Sequence, residues 1–222
     1  MSSLLSITDV RGNGSICRSN AGGRLGGLFY WLSQLKRHRN GEVDMGLDIS
    51  AYSGIKKLDA TINDDGEAID NKTLEALPWD GSWFTPWVNP DFPGRADEIE
   101  SGAVYSYEDC TGHGIGYGGH YWWRDQLAKV ASYPLTEQTQ YGKTQYCHFA
   151  GALAARGGPF YELINFSDCD GVIGTAVCKK LAADFAAFAE KAELEGGSFY
   201  ENYQYWREAL DMASNNGCIR FH

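Results

Sequence analysis

Leu47, Ile49 and Ala51 alternate with Asp48, Ser50 and Tyr52. This period of two predicts a half-buried strand over 47–52. A period near 3.6 appears later in the chain. Val177, Leu181, Phe185 and Phe188 recur at i, i+4, i+8 and i+11 and predict a helix over Thr175–Glu190. Phe199, Tyr203, Trp206, Leu210 and Ala213 mark a second helix. Ser198 and Glu201 have capping-box spacing at its start, and Asn215-Asn216-Gly217 closes it. A third helix, from about His120 to Ser132, aligns Trp123, Leu127 and Val130.

Phe160–Phe166 is apolar on both faces and predicts a central strand. Shorter strands are expected at Trp83–Val88, where Pro86 favours an edge, at Ala103–Tyr107, and at Cys218–His222. Asn63–Gly66 and Asn89–Gly94 are turn chemistry. Residues 66–82 are irregular, with one helical turn around Thr73–Leu77. Cys110–Gly119 is expected to be a glycine-rich loop, and 134–158 a long polar excursion. Strands lead and helices follow. The fold expected is therefore α+β: one domain with a mixed or antiparallel sheet of about five strands, its helices packed mainly on one face.

A hydrophobic content of 43% and an aromatic content of 14% over 222 residues can fill one core. No run reaches the roughly 18 apolar residues of a membrane-spanning helix, so no membrane partner is expected. The six cysteines show no disulfide framework or leader, so reduced thiols in the cytoplasm are the expectation. The net charge of -10 is uneven. Residues 1–44 hold six of the 19 bases and three of the 29 acids, leaving 13 bases against 26 acids in the remainder. An acidic body opposes nonspecific nucleic-acid binding, which needs a basic face.

Residues 1–44 also lack sustained periodicity and contain seven glycines and the basic cluster Lys36–Arg39. Glu42-Val43 can be encoded as GAG-GTN, a ribosome-binding sequence just before the Met45 codon. The expectation is a biological start at Met45, a disordered upstream extension over 1–44, and a single domain over 45–222.

The candidate site is the acidic turn Ser167-Asp168-Cys169-Asp170-Gly171, ahead of a helix. Asp168 and Asp170 can share a hard cation such as Mg²⁺, given oxygen ligands from elsewhere. The same acids would equally cap the helix and complement its dipole. Arg124 can hold a carboxylate or phosphate through its planar fork, or pack on an aromatic ring. Glu162, inside the apolar run, needs a partner, with Arg124 and Arg207 the candidates. Cys110, His113, His120, Cys147 and His148 match no standard zinc spacing, so Zn²⁺ is not expected. A Cys169 nucleophile with His113, His120 or His148 is the remaining covalent option.

Four blocks then stand out: M-G-L-D-I-S-A-Y at Met45–Tyr52, V-N-P-D-F-P-G-R-A-D at Val88–Asp97, Y-G-G-H-Y-W-W-R-D-Q-L at Tyr117–Leu127, and F-Y-E-L-I-N-F-S-D-C-D-G-V-I-G at Phe160–Gly174. Together with Ile219–His222 they resemble a family of bacteriophage and prophage proteins with no established activity. The resemblance covers about residues 45–222. It implies a phage or prophage origin and a host-cytoplasmic setting, and it carries over no catalytic residues. The expected function is that of an accessory protein binding a host or phage macromolecule, most simply a protein. The alternative is a metal-dependent hydrolase of a nucleotide or phosphoester, using Asp168, Asp170 and Arg124.

Overall fold

The computed structural model describes residues 46–140, 142–166 and 171–222. The expected Met45 start and the extension over 1–44 lie outside them. In chain order the elements are β1 (Gly46–Ser53), β2 (Lys56–Lys57), β3 (Ala60–Ile62), β4 (Ala68–Asp70), β5 (Trp83–Phe84), β6 (Tyr105–Ser106) and β7 (Asp109–Gly116). Then come α1 (Tyr117–Val130), β8 (Thr136–Gln140), β9 (Lys143–Cys147), α2 (His148–Ala155), α3 (Tyr161–Ile164) and β10 (Gly171–Gly174). The chain finishes with α4 (Thr175–Ala187), α5 (Ala189–Glu195), α6 (Gly197–Ala213) and β11 (Cys218–Phe221).

The main sheet has four strands in the order β10-β11-β1-β7, every pair antiparallel. This is the expected α+β class. The alternation of β1 sorts its two faces. Leu47, Ile49 and Ala51 join Ile173, Ile219 and Phe221 under the helices, in a core with Trp123, Leu127, Leu181, Phe185, Trp206 and Leu210. Trp123 and Trp206 stack there at 5.6 Å between centroids. Truncating either to Ala would cost about 3–5 kcal/mol.

Among the described residues the opposite face is covered over only part of its length. Tyr52, Cys110, Val172 and Cys218 pack beneath Phe84, Ala96, Ile99 and Tyr105. Tyr52 and Phe84 stack at 4.1 Å, nearly parallel. The cover comes from the small sheet β2-β6-β5, beside the β3–β4 hairpin.

Several expectations are corrected. Phe160–Phe166 is not a strand. Phe160 takes a left-handed conformation (φ 58°), and one turn of helix, α3, follows. Leu163 and Ile164 are buried where α3 packs on α1, α2 and α4, while Tyr161 and Glu162 are only partly covered. The nearest strand of the main sheet is instead Gly171–Gly174, four buried residues at the end of the strand order opposite β7. Cys110–Gly119 is not a loop; it forms most of β7 and the first turn of α1. The 134–158 excursion is an exposed hairpin followed by α2. Around Thr73–Leu77 the chain makes turns and a bridge between Ile69 and Ala76 rather than helix. The helix from Thr175 breaks at Phe188, and α6 is entered from Gly196 with no side-chain cap, so the Ser198–Glu201 box does not form.

Candidate functional site on the open sheet face

Arg124 sits on α1 with only 5% of its surface exposed. Its Nη1 donates to the Ile164 carbonyl at 2.7 Å, and its guanidinium lies 4.9 Å from the Phe149 ring centre. It therefore ties α1 to α3 and α2. Glu162, on α3, pairs with neither Arg124 nor Arg207. It accepts from Lys180 Nζ at 2.5 Å, and Lys180 also reaches Asp184 at 2.8 Å and donates to the Gly158 carbonyl at 2.6 Å. Arg124 thus works in the interior and Glu162 in a surface ion cluster. Ser167, Asp168, Cys169 and Asp170 lie outside the described residues, and the Mg²⁺ expectation lies there with them.

Among the described residues no group of three or more His, Cys, Asp and Glu is placed to hold a metal ion. The soft donors are spread apart. Cys110 and His113 belong to opposite faces of β7: Cys110 packs under the small sheet, while His113 stacks on Tyr205 at 4.0 Å. His113 Nε2–H donates to Asn202 Oδ1 at 3.1 Å, and burial holds its imidazole below the ordinary histidine value. His148 donates from Nδ1 to the Tyr133 carbonyl at 2.6 Å.

The residues that the fold does gather lie on the half of the main sheet that the small sheet does not cover among the described residues. Register places Ser50 between Gly112 on β7 and Arg220 on β11, all on the face away from the helices. His222, one residue beyond β11, donates its N–H to the Asp48 carbonyl at 2.8 Å, continuing the ladder. Its Nε2 is 3.0 Å from Ser50 Oγ. Asp48 is exposed, and its Oδ1 stands 3.2 Å from where a Cβ on Gly114 would be. Acid and base thus sit toward opposite sides of one face, with the Ser50–His222 pair between.

The same ladder fixes the edge. Since His222 and Asp48 form a hydrogen-bonded pair, the even residues of β1 bond β11 and the odd ones bond β7. On β7, Thr111, His113 and Ile115 therefore turn their backbone groups toward β1. The groups turned away from β1 belong to Cys110, Gly112, Gly114 and Gly116. The Cys110 N–H is taken by Asp109 Oδ1 at 2.8 Å, and among the described residues no strand pairs with the three glycines on that side.

Sequence reasoning reached β1 and β11 but not Ser50, Arg220 or His222 as a group. The usable signal was parity: Asp48 and Ser50, like Arg220 and His222, occupy the alternate positions that leave the core. Their pairing across 172 residues depends on strand order, which periodicity does not supply. No family model, no curated protein and no solved structure matches the chain.

Proposed function

We propose that this chain is a phage- or prophage-type accessory protein of the host cytoplasm that binds a protein partner. It takes an extended segment of that partner as an added strand along β7. The supporting observation is the free edge itself. Among the described residues β7 pairs with β1 alone, runs for eight residues, and contains no Lys, Arg or Pro to blunt it. Its outward groups sit on glycines, which suits close approach of another backbone. The acidic balance favours a partner segment with basic residues over a nucleic acid. Among the described residues no helix is long and apolar enough to cross a membrane.

About six backbone bonds at roughly 1 kcal/mol each reach only the millimolar-to-micromolar range. Specificity must then come from partner side chains lying over Gly112 and Gly114, where β7 offers none of its own.

The test is a matched capture from bacterial host lysate with the wild type and with Gly112→Pro. The Gly112 N–H points outward, so proline there removes an edge donor and leaves the β1 ladder intact. A Cβ at Gly112 would meet only the Ile49 carbonyl, at 3.7 Å. The expected result is a protein held by the wild type and lost with Gly112→Pro, at unchanged unfolding midpoint. Identical captured sets would refute the edge as the binding element.

A further inference from the structure

We propose that Arg220, Ser50 and His222 form a binding site for the phosphoryl group of a small phosphate ester, on the sheet face that adjoins the β7 edge at Gly112 and Gly114. Arg220 is half-buried, yet among the described residues its guanidinium meets no carboxylate, carbonyl or ring. Other guanidinium groups of this fold are differently placed: Arg124 holds the Ile164 carbonyl, and Arg95 lies over Phe92 and Tyr161. A partly desolvated guanidinium offers five N–H donors in a fixed fork, the arrangement that receives two oxygens of an oxyanion at once.

Ser50 is directly opposite Arg220 in the ladder and is 7% exposed, so its hydroxyl belongs to the floor of the face rather than to its rim. When the His222 imidazole donates from Nε2 to Ser50 Oγ, the Ser50 O–H is left to donate to a third oxygen. Ser50 and Arg220 stand opposite each other on neighbouring strands, so donors from two strands would meet the ligand, which suits a tetrahedral group better than a planar carboxylate. On the far side Gly112 supplies no side chain, and a Cβ there would meet only the sheet's own Ile49 carbonyl. No salt bridge carries Asp48 onto Arg220. The Asp48 carboxylate instead leans over Gly114, where it can accept from a hydroxyl of the ester's organic part.

The full chain should be titrated with inorganic phosphate, and separately with acetate, at constant ionic strength held with sodium chloride. The readouts are the His222 imidazole C–H resonances and the thermal midpoint. Saturable displacement of the His222 signals by phosphate, with a raised midpoint, is expected. R220M should weaken that affinity at least about tenfold, and R220K less, since it keeps the charge and loses the fork. R220K also keeps the test readable should R220M fail to fold. The proposal is overturned if phosphate acts no more than chloride, or if both variants bind it as the wild type does. An equal response to acetate overturns the phosphoryl assignment in favour of a carboxylate.

Discussion

Asp184 and Phe160, 24 residues apart, are joined by a 2.7 Å hydrogen bond in which the Phe160 N–H donates to Asp184 Oδ2. Phe160 is fully buried and left-handed at φ 58°, so this bond anchors a backbone that phenylalanine rarely adopts. Lys180 bridges Asp184 to Glu162 and completes the seat of α3 on α4. Asp184→Ala should therefore destabilise the protein by about 2–3 kcal/mol in urea unfolding, by orphaning a buried N–H. Asp184→Asn, which retains an oxygen acceptor, should cost about half as much. Equal losses would show that the charge, rather than the acceptor, matters.

Gly217 closes α6 against β1. A Cβ added there would lie 1.9 Å from the Tyr52 carbonyl oxygen and 2.9 Å from its carbon, both backbone atoms. Neither can move without parting β1 from β11. Gly217→Ala is expected to cost about 3 kcal/mol or more, seen as a large fall in the unfolding midpoint. A change under about 1 kcal/mol would contradict the close approach.

His113 gives a pH dependence whose sign follows from burial. Its folded pKa lies below the ordinary value because burial disfavours the charged ring, and the Asn202 bond offsets this only in part. Between about 6.5 and that lower value the unfolded chain binds more protons. The histidine thus adds stability above about pH 6.5 and loses it as pH falls toward the folded pKa. Going from about pH 7.5 to 5.5, the wild type should lose up to about 1.4 kcal/mol more than His113→Gln. Parallel curves for the two proteins would remove His113 from the account.

How much of this was legible in the sequence depended on whether an element buries one face. β1 and α6 do, and their periods located them. The hairpin T-E-Q-T-Q/K-T-Q-Y-C buries almost nothing, so no alternation marked it. In β7 the informative row was Thr111, His113 and Ile115, hidden because the alternate positions are glycines, which read as loop. Phe160–Phe166 misled for the opposite reason: a short, mostly apolar and largely buried run looks the same as strand or helix, and only length separates them. The open face was readable strand by strand through Asp48, Ser50, Arg220 and His222. Their assembly required the order β10-β11-β1-β7, a property of the packed chain.

The central claim is that, among the described residues, β7 ends the sheet with its glycine backbone groups turned outward. Residue-resolved amide hydrogen exchange on the isolated protein tests it most directly. Thr111, His113 and Ile115 should exchange slowly, since their N–H groups bond β1, while Gly112 and Gly114 between them should exchange nearly as fast as unfolded peptide. Slow exchange at Gly112 and Gly114, matching their neighbours, would mean that the edge is already covered and would contradict the account.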